Sequence, residues 1–140
     1  MIRNLCKGKI HRATVTETDL NYVGSITIDS FLLESAGIVP YEQVLITNLS
    51  NGEAWTTYTI PGEAHSGVIC LNGPPARKFH LGDKVIIMCF SLFSESELQS
   101  FTPRMVFVDE ANAVVNVKVD RQPLLDIPGL SGRMQPEFGH

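Results

Sequence analysis

The Gly24-Ser25 bond, within Asn21-Tyr22-Val23-Gly24-Ser25-Ile26-Thr27-Ile28-Asp29, is the feature of this chain with the most chemical potential. A serine hydroxyl can turn on the carbonyl of the residue before it and convert the amide into an ester. β-Elimination then breaks the ester and leaves dehydroalanine, which water hydrolyses to a terminal ketone and ammonia. Glycine suits the position before the serine because, lacking a side chain, it adopts unusual φ/ψ and lets the hydroxyl come close to its carbonyl. The plain alternative is a tight turn ahead of a strand, since Gly and Ser are common turn residues. Lys9 and His11 stand two apart, a spacing that could share a pocket, and Thr57-Tyr58 and Asn72-Gly73 are further candidate pairs. Each has its own plain alternative. Thr and Tyr are good strand formers, an exposed Lys is a solvated charge, and Asn-Gly is a turn signal.

The elements that must position these residues are short and rich in β-branched side chains. Lys9 to Thr16 alternates and reads as a strand, with Lys9, His11, Ala13 and Val15 on one face. Lys9 and His11, two apart, would then reach into one pocket. Asp29 and Ser30 can cap a short helix through Leu32, Leu33 and Ala36 that ends at Gly37. Strands from Gln43 to Asn48 and from Ala54 to Ile60 flank Ser50-Asn51-Gly52, a strong hairpin cue. Gly67 to Leu71 and Lys84 to Phe90 are further apolar strands, with a proline-led helical turn at Gly73-Pro74-Pro75-Ala76-Arg77-Lys78 between them. Ser94-Glu95-Ser96-Glu97 has capping-box spacing for a short helix, and Arg104 to Val108 returns to strand. Such a succession of strands, without any long internal repeat, predicts a small barrel or sandwich. From about Asp120 onward, repeated Pro and Gly break any element and predict a loosely held tail.

At 140 residues, 44% of them hydrophobic and 19% charged, the chain has the composition of one folded domain. A net charge of −4 offers no basic footprint for nucleic acid. No apolar run approaches the roughly eighteen residues that a membrane-spanning helix needs. The N-terminus lacks the long apolar centre of a secretion signal, which predicts a cytoplasmic protein. Cys6, Cys70 and Cys89 are an odd set without C-x-x-C spacing, and read as free thiols of a reducing compartment. His65, His80 and His140 show no ligand spacing for zinc, so no metal is expected.

With their flanks Lys9-Ile10-His11-Arg12, Asn51-Gly52, Thr57-Tyr58 and Asn72-Gly73, residues 1–109 resemble the pyruvoyl-dependent aspartate 1-decarboxylases. The resemblance implies a mainly β chain folded as a small double-psi β-barrel with a few short helices. It implies one domain over residues 1–119 with a flexible tail over 120–140, assembled as a homotetramer with active sites between subunits. It also implies self-cleavage into residues 1–24 and 25–140, leaving a covalently bound pyruvoyl group derived from Ser25. Decarboxylation at Cα leaves an electron pair that needs a sink, and a ketone joined to the substrate amine and conjugated to an amide provides one. On this reading Gly24 is the cleavage site, and Thr57 assists the acyl shift at the Gly24 carbonyl and binds substrate. Tyr58 returns a proton to Cα. Lys9 and His11 lie near the substrate carboxylates, and Tyr22, Asn72, Gly73, Pro74 and Pro75 line the site. Adjacent Thr57 and Tyr58 point to opposite sides of a regular strand. Both serve only if the strand bulges or ends there, or if each serves a different intersubunit site. The implied reaction is L-aspartate to β-alanine and CO2, feeding pantothenate biosynthesis.

Ala54 departs from the family pattern, which has a carboxylate-clamping arginine at that position. A methyl group offers none of the guanidinium's paired hydrogen bonds. Losing such a contact costs roughly 1.5–3 kcal/mol, or about one to two orders of magnitude in recognition. Another cation (Arg77, Lys78 or Arg12) could replace the clamp, the chain could decarboxylate a different amino acid, or position 54 could carry an introduced change. Pro74 and Pro75 in place of small residues, and Ala64-His65 in place of an arginine-containing turn, also depart from the pattern. A rival from another class is an unprocessed, non-enzymatic β-barrel module whose serine is never cut.

Overall fold

The computed structural model describes residues 1–120; the tail expected from Asp120 onward falls, after its first residue, outside the described residues. The chain is mainly β. Its strands are β1 (Ile2–Thr14), β2 (Glu17–Asp19), β3 (Ser25–Asp29), β4 (Gln43–Asn48), β5 (Ala54–Gly62), β6 (Ile69–Asn72), β7 (Lys84–Ser94), β8 (Arg104–Val108) and β9 (Val114–Val119). They pair in the order β2-β6-β3-β5-β4-β7-β1-β8-β9. Only Val15 and Thr16 separate β1 from β2, so one passage of chain stands on both sides of the ladder. Thr16 N–H donates to the Ile69 carbonyl at 2.9 Å and Val15 N–H to the Asp83 carbonyl at 2.9 Å, and these bonds close the sheet into a barrel. Ile10, Ile26, Ile46, Ile69, Leu71 and Ile87 fill its interior, all fully buried. That apolar burial is the main force holding the closed sheet together.

β1 does not alternate as its sequence predicts. Ile10, Ala13 and Val15 are buried, whereas Lys9 and His11 are half-buried. The β1–β7 register shifts between Ile10 and Ala13, and Arg12 there takes φ 60°. This bulge inserts one residue and turns Ala13 and Val15 to the core, the face opposite Lys9 and His11. Lys9 and His11 themselves share a face, since both pair in unbroken register with β8, Lys9 with Met105 and His11 with Phe107.

The helix α1 (Ser30–Ala36) forms where its caps predict. The Asp29 carboxylate accepts from Phe31 N–H, and Gly37 ends the helix at φ 71°. The same carboxylate also accepts from His65 N–H at 3.0 Å and Gly67 N–H at 2.9 Å, tying the helix start to the β5–β6 loop. The β4–β5 hairpin turns at Asn51-Gly52 with Gly52 at φ 75°. The capping box expected at Ser94 and Glu97 is made: Ser94 N–H donates to Glu97 Oε1 at 2.8 Å, and Glu97 N–H to Ser94 Oγ at 3.3 Å. It starts only a 3-10 turn, Glu97–Ser100. A second 3-10 turn, Pro74–Arg77, follows β6 with proline at its first positions.

Candidate active site

β3 and β6 pair antiparallel, with Ser25 opposite Asn72 and Thr27 opposite Cys70. Residues two apart share a strand face, so these four polar side chains form one patch while Ile26, Ile28, Ile69 and Leu71 point to the core. Asn72 Nδ2 donates to Ser25 Oγ at 3.0 Å and to Thr27 Oγ1 at 2.9 Å. Cys70 Sγ donates to Asn72 Oδ1 at 3.2 Å. Ser25 Oγ in turn donates to the Val23 carbonyl at 3.1 Å, within the residues that lead into the Gly24-Ser25 bond. Ser25 is fully buried and Asn72 nearly so, which shields the hydroxyl from bulk water.

Gly73 holds the other side of that bond. Its N–H donates to the Asp19 carbonyl at 2.8 Å, and it takes φ 78°, a conformation open to glycine. A Cβ there would meet Gly24 Cα at 2.8 Å, Gly24 N at 3.0 Å and the Tyr22 carbonyl at 3.2 Å. The expectation that Gly24 itself needs unusual backbone freedom is corrected. Gly24 is not among the positive-φ glycines, and a Cβ on it would find only ordinary contact, 3.7 Å from Pro74 Cδ. The close approach belongs to Gly73, because the 72–73 segment crosses directly over Gly24. Pro74 adds the ring that packs there, while Pro75 is the buried residue of the 3-10 turn that follows. Tyr22 sits on the turn that joins β2 to β3, with its side chain exposed.

Thr57 and Tyr58 lie on β5, which changes partner beside the site. Tyr58 pairs with Gln43 of β4, and the parallel ladder with β3 begins one residue later, Thr59 against Ile26. Extending that register sets Gly24 and Ser25 alongside Thr57 and Tyr58. The β4–β5 ladder shows no register shift through these two residues, and β5 runs on to Gly62. Neither a bulge nor a strand end therefore brings the two side chains to one face. Thr57 and Tyr58 border an open hollow of about 470 Å³ with Tyr41, Gln43 and Thr56, where the Tyr58 ring stacks on Tyr41 at 6.1 Å between centroids.

Lys9 and His11 stand apart from this group. No hydrogen bond or ion pair among the described residues joins either to Ser25 or Asn72. The His11 ring meets Phe107 edge-on at 5.5 Å, and its Nδ1 is buried without a hydrogen-bond partner. Burial first, then the neighbouring charges of Lys9 and Arg12, hold His11 below its usual pKa. One chain thus presents two separate sets of candidate side chains. Ala54 is exposed at the start of β5. Of the cations considered as its replacement, Lys78 is bound to Glu53 at 3.0 Å, whereas Arg77 and Arg12 make no ion pair among the described contacts.

Thr27, Cys70 and the Val23 carbonyl were not singled out from the sequence. Their signal is the pairing itself. Ser25-x-Thr27 and Cys70-x-Asn72 have matching two-residue spacing, but only the β3–β6 register reveals that they meet. Among the described residues, no three His, Cys, Asp or Glu side chains gather as a metal site.

The aspartate decarboxylase family model matches residues 1–115. An aspartate 1-decarboxylase of Carboxydothermus hydrogenoformans is 54% identical over 118 residues, covering 84% of this chain and 93% of that protein. Another, from Neisseria meningitidis, is 54% identical over 117 residues, covering 84% and 92%. One from Listeria monocytogenes is 54% identical over 114 residues, covering 81% and 90%. With a buried Ser25 after Gly24, Asn72 bonded to its hydroxyl, and these matches over most of its length, the chain belongs to the aspartate decarboxylase family.

Proposed function

We propose that the chain is the precursor of a pyruvoyl-dependent decarboxylase that converts L-aspartate to β-alanine and CO2, in support of pantothenate biosynthesis in the cytoplasm. The observation that carries this reading is the buried Ser25 hydroxyl, bonded to Asn72 and the Val23 carbonyl next to a glycine that Gly73 presses close. In the first step Ser25 Oγ bonds to the Gly24 carbonyl carbon, the Gly24–Ser25 C–N bond breaks, and the hydroxyl proton passes to the released nitrogen. Elimination then breaks Cβ–Oγ with loss of the Cα proton, leaving Gly24 with a free carboxylate. Hydrolysis of the dehydroalanine releases ammonia and completes the cofactor at residue 25.

The residues at hand fit that group. Asn72 hydrogen-bonds both to Ser25, where the group forms, and to Thr27. Thr57, two residues before the β3–β5 ladder begins at Thr59, is the hydroxyl we assign to the Gly24 carbonyl. Once formed, the ketone supplies an electron sink for the substrate's Cα. Tyr58, with a phenol O–H, is the residue to return a proton to that carbon. Lys9 offers a cation and His11 a neutral imidazole N–H donor for carboxylates, yet both lie on β1 outside the Ser25 group. That separation, and the opposed directions of Thr57 and Tyr58, support a homotetramer in which one subunit's Lys9 and His11 complete the site of a neighbour. The relatives' identity as aspartate 1-decarboxylases favours aspartate despite Ala54.

The test is intact mass of the purified protein, followed by an amine-product assay. Two fragments meeting at residues 24 and 25, the larger lacking its amine, together with β-alanine from aspartate, are the expected result. A single intact chain with no product would leave the non-enzymatic module.

A further inference from the structure

We propose that Cys70 is a positioning residue for the Ser25 reaction: its thiol donates to Asn72 Oδ1 and so holds that amide with Nδ2 against Ser25 Oγ. The inference rests on the self-processing of Ser25 set out above.

The two ends of an Asn amide are alike in shape, so the hydrogens of its partners decide which way it faces. Thr27 Oγ1, 2.9 Å from Nδ2, can donate or accept and selects neither end. The Ser25 hydroxyl spends its proton on the Val23 carbonyl at 3.1 Å, so it must accept from Asn72. Cys70 selects the opposite end. It is 3% exposed, and its Sγ lies 3.2 Å from Oδ1. Burial above all, then hydrogen bonding to and the charge of the Glu17 carboxylate beside it on β2, and the charge of Asp19, push the thiol up to about 12. A group so held keeps its hydrogen; the Glu17 carboxylate competes for it, but the acceptor in hydrogen-bond geometry with Sγ is Asn72 Oδ1, at 3.2 Å.

The orientation matters at both steps of the chemistry. A serine oxygen has one hydrogen and two lone pairs. With the hydrogen on Val23 and one lone pair taken by Nδ2–H, the other lone pair remains for the Gly24 carbonyl carbon. A reversed amide would contest the hydrogen instead. In elimination the same oxygen departs as part of the Gly24 carboxylate, and an N–H already pointed at it stabilises the charge that develops there. Cys70 touches neither Ser25 nor Gly24 in this scheme; it acts through Asn72.

The experiment follows cleavage of freshly purified full-length precursor by intact mass. Cys70→Val removes the donor from a slightly larger apolar side chain, and is expected to slow cleavage about fivefold or more. Cys70→Ser restores a donor and is expected to cleave within about twofold of the native rate. Cleavage of Cys70→Val at the native rate, or an equal slowing in Cys70→Ser, overturns the inference. Hydrogen exchange of the Asn72 side-chain amide, read by NMR, separates orientation from folding: it is expected to be slow in the native and Ser forms and fast in the Val form. Native protein that never cuts would instead defeat the reading of Ser25. The amide exchange then decides alone, and equally slow exchange in Cys70→Val overturns the role of Cys70.

Discussion

Asn72 stands directly across the β3–β6 ladder from Ser25, and its Nδ2 donates to Ser25 Oγ at 3.0 Å. Strand pairing, not a loop, therefore fixes the hydroxyl to which the proposed function assigns the attack on Gly24. Removing that oxygen leaves the frame intact but nothing to accept the acyl group. Ser25→Ala is expected to remain one chain of full mass, with no β-alanine from aspartate and little change in thermal stability. Mass spectrometry and a product assay on the same sample check both halves, and turnover by this variant would defeat the assignment.

Gly73 offers a sharper test of the geometry, because an added Cβ would collide with backbone. A Cβ would sit 2.8 Å from Gly24 Cα, at a φ of 78° that side chains avoid. Gly73→Ala is expected to slow cleavage by at least about tenfold and to cost stability of about 1–3 kcal/mol. Gly52 has a similar φ of 75° but nothing within 4 Å of its added Cβ. Gly52→Ala should therefore lose about 1 kcal/mol from strain alone and cleave normally. Parallel melting curves and cleavage time courses distinguish the two.

Position 54 tests substrate recognition separately from processing. Ala54 lies on β5, three residues before Thr57, and its exposed methyl group offers no charge. If the carboxylate clamp is absent, Ala54→Arg raises kcat/KM for aspartate by about tenfold or more while the cleavage rate stays fixed. If kcat/KM is unchanged, Arg77 or Arg12 has taken over, and the matching Arg→Ala variant should lose the activity.

The hairpin and helix signals were legible because they are local. Asn51-Gly52 turns where expected, and Asp29 and Gly37 cap α1 within one stretch of sequence. The bulge in β1 was not legible, because it is imposed by tertiary pairing. Arg12 takes φ 60° where β1 leaves β7's register, and no pattern within Lys9 to Thr16 announces it. The site divided the same way. Ser25 and Asn72 are marked by their glycine neighbours, whereas Thr27 and Cys70 gain meaning only once β3 and β6 lie side by side. Barrel closure through Thr16 and Ile69 is likewise a long-range event.

Asn112 shows how such long-range joints are held. It is almost fully buried at φ 63°, accepts from Thr14 N–H at 2.8 Å, and donates to the Thr14 and Gly67 carbonyls at 2.8 Å each. It thus pins the β8–β9 hairpin to the end of β1 and to the loop before β6. Asn112→Ala leaves those backbone groups without partners and is expected to cost about 3 kcal/mol, read as a lower denaturation midpoint. Asn112→Asp keeps the acceptor for Thr14 N–H but sets a carboxylate against two carbonyls. It should be no better than alanine.

His11 supplies a pH dependence whose sign follows from its surroundings. Burial, Lys9 and Arg12 all disfavour its charged form, so its folded pKa lies below the ordinary 6.5. Above 6.5 the ring is neutral in both folded and unfolded chains and contributes no difference. As the pH falls past that value, the unfolded chain takes up the proton first and is favoured. Stability is therefore lost from about pH 6.5 downward, and the loss levels off once the pH is below the folded pKa. His11→Gln removes the titration while keeping a polar side chain beside Phe107. Its melting temperature should fall less than that of the native protein between about pH 7.5 and pH 5.5. Equal falls in the two proteins would show that the ring is as easily protonated in the fold as outside it, and that the buried Nδ1 is not the constraint the geometry describes.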